Sequence, residues 1–105
     1  MKVRYLVAMT LGLAVSASAL ADEGEALYKK SGCNICHALN KKNVGPAFTE
    51  IAAKYAGDST AQAKLEQKVR SGGSGSFGKV PMPATSAKVS DENIKALVAF
   101  ALAQK

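Results

Sequence analysis

Both cysteines and the single histidine of this 105-residue chain fall within five consecutive positions, Cys33-Asn34-Ile35-Cys36-His37. No other feature restricts the fold as much. The pattern C-x-x-C-H is the attachment signature for a c-type haem. Two thiols three positions apart lie on one side of a helical turn, where they can add to the two vinyl groups of one porphyrin. The adjacent imidazole then falls under the iron as an axial ligand. A structural zinc site needs a fourth nitrogen or sulfur ligand, and no further Cys or His remains to supply one. A redox dithiol of the thioredoxin kind needs a βαβ setting, which the rest of the chain does not offer.

The N-terminus reads as an export signal. Lys2 and Arg4 make a basic start, Tyr5 to Val15 is an almost unbroken apolar run, and Ala19-Leu20-Ala21 is an A-x-A cleavage pattern. The run is shorter than the ~20 residues a permanent span requires. The expected division is a cleaved signal over 1–21 and one domain over 22–105, soluble and periplasmic. A domain of this size buries only a modest core and often depends on a metal, disulfide or cofactor. It has no tryptophan. A haem would supply the missing apolar bulk, and the chain without it is expected to fold poorly. Without Lys2 and Arg4 the balance is 12 basic against 8 acidic residues, a formal +4. No Lys/Arg cluster is interleaved with aromatics, which argues against nucleic-acid binding. A solvated basic face suited to an acidic partner is the better reading.

Short helices between Gly- and Pro-bearing loops account for nearly everything else. Glu23 to Ser31 favours helix, with acids first and Lys29 and Lys30 last, matching the helix dipole. Pro46 can open a second helix whose Phe48, Ile51, Ala52, Tyr55 and Ala56 follow the template of a buried stripe. Gly57 ends it, and Asp58, Ser59 or Thr60 can cap a third helix carrying Ala61, Leu65 and Val69. Ser90 caps a last helix with an apolar face of Ile94, Leu97, Val98, Ala101 and Leu102. The fold class is all-α, without repeats. Gly72 to Val89 stands apart as a long irregular connection, and such loops are usually functional. Its centre, Val80-Pro81-Met82-Pro83, is apolar and stiffened by two prolines.

Haem iron held by His37 has one further axial position, and no histidine remains to take it. Met1 and Met9 would leave with the signal, so Met82 becomes the only methionine of the domain. Its thioether is a soft donor, and a Met/His pair is the ligand set of electron-carrying cytochromes. The site residues are therefore Cys33, Cys36, His37 and Met82 for one covalent haem c, with His37 and Met82 on the iron and no catalytic residue.

Taken in order, Cys33 to His37, Val44-Gly45-Pro46-Ala47, Phe48 to Ala56 and Val80-Pro81-Met82-Pro83 resemble the small bacterial class I cytochromes c, closest to the c-551/c-552 group. The resemblance covers the whole domain. It implies a compact four- to five-helix fold around one haem, with N- and C-terminal helices crossing. It also implies a monomeric, non-enzymatic shuttle between periplasmic redox proteins, serving a terminal oxidase, reductase or peroxidase. By position, the carbonyl of Pro46 would accept a proton from the His37 ring. Relatives often carry Trp where this chain has Phe77, an indole that reaches a propionate; Lys68 or Arg70 would have to replace it. Relatives often carry Asn, able to bond the ligating sulfur, where Thr85 stands. The competing readings are a peroxidase or small-gas sensor with an open or labile sixth ligand, and a haem-free dithiol oxidoreductase.

Overall fold

The computed structural model describes residues 17–105. The basic start and apolar run of the expected signal lie outside the described residues. Four α-helices are found within them: α1 (Ala17–Lys30), α2 (Phe48–Lys54), α3 (Ala61–Ser71) and α4 (Asp91–Leu102). A single 3₁₀ turn, Cys33–Ile35, follows α1. The only β pairing among the described residues is an isolated antiparallel bridge between Gly73 and Met82. The all-α expectation holds.

Helix α4 is the hub, packed against α1, α2 and α3. Its buried face is Ile94, Leu97, Val98, Phe100 and Ala101, so the stripe read from the sequence gains Phe100, while Leu102 is only half-buried. Ser90 caps it as expected, its hydroxyl accepting from the Asn93 amide at 3.1 Å. Helix α1 crosses α4 at Gly24. A Cβ there would stand 2.5 Å from the Phe100 Cβ, so the glycine is what allows the approach.

Two local expectations need correction. The second helix stops at Lys54, and Ala56 is exposed rather than part of a buried stripe. The amide of Tyr55 still bonds to the Ile51 carbonyl at 3.1 Å, but that of Ala56 tightens onto the Ala53 carbonyl at 3.3 Å, which ends the helix before that last position. Before α3, Thr60 occupies the cap position without capping. Asp58 ties the turn instead, its Oδ1 accepting from the Thr60 amide at 2.8 Å and from the Thr60 hydroxyl at 2.6 Å.

The core joins Tyr28 of α1, Phe48 and Ile51 of α2, and Leu97, Phe100 and Ala101 of α4. Tyr28 meets Phe48 edge-on with centroids 5.2 Å apart, and Phe48 meets Phe100 at 6.1 Å. Such edge contacts add about 0.5–1.5 kcal/mol to the area they bury. This cluster is the floor on which the site is built.

Candidate haem cleft

Gly32 adopts a left-handed conformation (φ 79°) and turns the chain out of α1 into the 3₁₀ turn. The amides of Cys36 and His37 both bond to the carbonyl of Cys33, at 3.2 and 2.9 Å. One helical turn thus carries Cys33, Cys36 and His37, and all three line the same cleft. The cysteines are not joined to each other. Burial pushes the Cys33 thiol above its ordinary range, and the neighbouring Cys36 adds to the shift.

The histidine is held from four sides. Its Nδ1 lies 2.8 Å from the carbonyl of Pro46, as the resemblance implied, which makes Nδ1 the protonated nitrogen and leaves the Nε2 lone pair free. Its ring sits 5.3 Å from that of Phe48. Its own carbonyl accepts from the Tyr28 hydroxyl. Gly45 closes the last side: a Cβ there would stand 2.6 Å from the imidazole Cε1. Tyr28 and Gly45 carry no local signal for these roles, since both act across the fold rather than along the chain.

Met82 lies on the opposite segment of the same cleft. Its amide and carbonyl pair with Gly73 at 2.8 and 2.9 Å. Gly72, at φ 70°, makes that pairing possible, because a Cβ there would fall 2.4 Å from the Met82 carbonyl oxygen. Gly72 and Gly73 are therefore a surface for the methionine segment, a role that composition alone does not show. The amide of Thr85 bonds to the carbonyl of Val69 at 3.2 Å, tying the segment to α3.

The cleft measures about 240 Å³, several times the ~30 Å³ share of one water molecule. Leu97, Val98 and Ala101 of α4, with Ile51 and Leu65, give it an apolar lining. Two thiols, a free imidazole nitrogen and a thioether edge it. An apolar hollow with nitrogen and sulfur donors on facing segments fits a large flat apolar cofactor with a metal at its centre, and so fits haem.

Of the two groups named as substitutes for the missing Trp, Lys68 lines the cleft. Arg70 does not: its guanidinium is taken up by the carbonyls of Ser86 and Val89 and by Asp91. Phe77 faces the cleft with the Lys54 ammonium 4.3 Å from its ring centroid. At the rim Val44 and Val80 are 57% and 67% exposed, and Ile35, in the turn between the two cysteines, is 74% exposed.

Comparisons with known proteins agree with this geometry. The family model described as cytochrome C oxidase, cbb3-type, subunit III matches residues 19–100. Cytochrome c-551 of Allochromatium vinosum is 49% identical over 90 residues, covering 86% of this chain and 93% of its own. Cytochrome c-551 of Pseudomonas aeruginosa is 39% identical over 97 residues, covering 92% and 91%. The crystal structure of Nitrosomonas europaea cytochrome c552 superposes with a TM-score of 0.72 at 43% identity, covering 77% of this chain and 99% of that one.

Proposed function

The chain belongs to the cytochrome c family, alongside the c-551 and c-552 proteins, and on that premise we propose that it is a periplasmic carrier of single electrons with His37 and Met82 as axial ligands. The family's cofactor is haem c, whose iron takes up and releases one electron. Cys33 and Cys36 would hold it through thioethers. The observation that carries the reading is the single cleft that gathers the C-x-x-C-H turn and Met82 from distant parts of the sequence.

The chain's own groups then have distinct tasks. The Pro46 carbonyl fixes the His37 tautomer and raises the basicity of its Nε2. Tyr28 anchors the backbone of that residue from the core side; burial pushes its phenol up, so it stays a donor. The bridge to Gly73 holds Met82 by its main chain and leaves the thioether free to ligate. A neutral sulfur favours the reduced state, and apolar walls disfavour added charge in the same direction. With His37 and Met82 both held in place by the fold, the surroundings of a bound iron would change little between its two oxidation states.

Among the described residues no helix is long and apolar enough to cross a membrane. The exported, periplasmic setting rests on the signal pattern of residues 1–21. Donor and acceptor would be other periplasmic redox proteins that meet the chain at the rim of the cleft.

Two measurements test the reading. The intact mass of purified protein is expected to equal residues 22–105 plus one haem; a mass of bare polypeptide or of uncleaved precursor excludes that combination. Met82→Ala is expected to turn a low-spin iron high-spin or water-ligated, with a lowered potential and ready binding of carbon monoxide. A parent protein that binds carbon monoxide readily at neutral pH would favour the open-site peroxidase or sensor instead.

A further inference from the structure

Between Gly72 and Ser90 the chain has no regular structure, and no residue from Gly73 to Val89 is fully buried. Phe77, Met82, Thr85 and Val89 are half-buried and the others are exposed. Packing is confined to a few half-buried side chains, Phe77 and Val89 against the core among them, and polar ties supply much of the rest. The Gly73 bridge and the Thr85 amide fasten the limb around Met82. The limb that returns to α4 packs Val89 against the core, and the side-chain hydrogen bonds that reach it from outside the loop come from Arg70. Its Nη1 donates to the Ser86 carbonyl at 3.1 Å, and its Nη2 donates to the Val89 carbonyl at 2.7 Å and to Asp91 Oδ1 at 2.7 Å. The Asp91 side chain is 96% exposed, which makes the ion pair the weakest of the three ties. The two carbonyls belong to the loop itself. A planar guanidinium with several donors can span both, whereas a lysine ammonium is a single point.

We propose that Arg70 is a positioning residue for Met82: it clamps the return limb of the loop onto α3 and so sets how readily an outside ligand takes the place of the thioether. The inference rests on the reading of Met82 as axial ligand. Local opening of the loop is the event that exposes the sixth position, and such openings have their own free energy, separate from that of global unfolding. Arg70 makes no hydrogen bond to His37 and reaches α4 only at its exposed first residue, Asp91, so its loss weakens the loop side of the cleft more than the His37 side. Apparent affinity for a competing ligand rises in proportion to the population of the open state.

The test is a titration of the oxidised holoprotein with imidazole, following loss of the sulfur-to-iron charge-transfer band. Arg70→Ala is expected to tighten apparent imidazole binding roughly tenfold, equivalent to about 1.4 kcal/mol, and Arg70→Lys by a smaller factor. Ala26→Gly, on the exposed face of α1, is the control. It lowers global stability through glycine's poorer helix propensity and is expected to leave imidazole affinity unchanged. If the Arg70 variants shift affinity no more than Ala26→Gly does, the clamp is refuted. Should Arg70→Ala fail to accumulate as holoprotein, Arg70→Lys retains the charge and decides by the same comparison. Met82→Ala separates the two layers. If it keeps the band and the parent affinity, the ligand reading falls and takes this inference with it. If it loses the band while both Arg70 variants match Ala26→Gly, the clamp alone falls.

Discussion

Gly45 has no Cβ, and the space where one would stand is taken by the His37 ring. The nearest ring atoms lie 2.6 and 2.8 Å from that position, and the ring cannot swing aside without leaving the Pro46 carbonyl. Gly45→Ala is therefore expected to destabilise the holoprotein by ~1–3 kcal/mol, the usual range for overpacking, and to reduce the yield of low-spin protein. Absorption spectra and denaturant midpoints check this; parent values for both would show that the imidazole has room to move. Asp58 works through charge. The two bonds from Thr60 hold its carboxyl below the usual carboxylate range, with Lys64 helping at 3.4 Å. A lowered folded-state pKa adds stability above the unfolded value, and that stability is lost as pH falls through the folded value. Asp58→Ala should thus be less stable than the parent at neutral pH, with the gap closing as the solution is acidified through the carboxylate range. Denaturant midpoints at a series of pH values measure it, and a gap independent of pH would assign the effect to geometry alone.

The helices were legible in the sequence where the signal is local. The i, i+3, i+4 spacing of α4 and its Ser90 cap identify both its buried face and its first turn. The C-x-x-C-H turn and Met82 stand out in the sequence as scarce residues, and the fold brings them to one cleft. What could not be read depends on contacts across the fold. Gly24 looks like a flaw in α1 until α4 is laid across it, and Gly72 and Gly73 look like a flexible linker until Met82 pairs with them. Gly24→Ala puts two terms in conflict. Alanine gains up to ~1 kcal/mol in helix propensity, while a Cβ 2.5 Å from the Phe100 Cβ introduces overpacking of ~1–3 kcal/mol. The contact involves an atom fixed to the backbone, so it cannot be relieved by a rotamer change, and overpacking wins. A lower melting temperature for Gly24→Ala is the expected outcome. A rise would mean that α1 and α4 can separate freely.

At the scale of the whole molecule, α2, α3 and α4 enclose a cleft beside the core together with the segments that carry the C-x-x-C-H turn and Met82, so a haem bound there would add to the core as well as serve the function. The same arrangement puts the cleft's rim at the surface, where Val44 and Val80 are both exposed and part of its lining. Lys41, Lys42 and Lys79 lie in the segments that carry these apolar residues and are themselves exposed, Lys42 lining the cleft. Lys29 contributes less, since Glu25 pairs with it at 3.4 Å. A partner that docks an acidic surface here would be drawn by the lysines at long range and seated by the apolar rim at contact. These two stages respond differently to salt. Attraction between exposed charges is screened beyond a Debye length of ~10 Å at 0.1 M salt, while apolar seating is not weakened in that way. The second-order rate of electron transfer with an acidic partner should fall as salt is raised from low to physiological levels. Reversing Lys41 and Lys42 together to Glu should slow the reaction at low salt and flatten its salt dependence, because the attraction that salt removes is then already gone. Stopped-flow rates at several ionic strengths, for parent and double variant, decide the matter. Rates that ignore both salt and charge reversal would leave docking to Ile35, Val44 and Val80 alone.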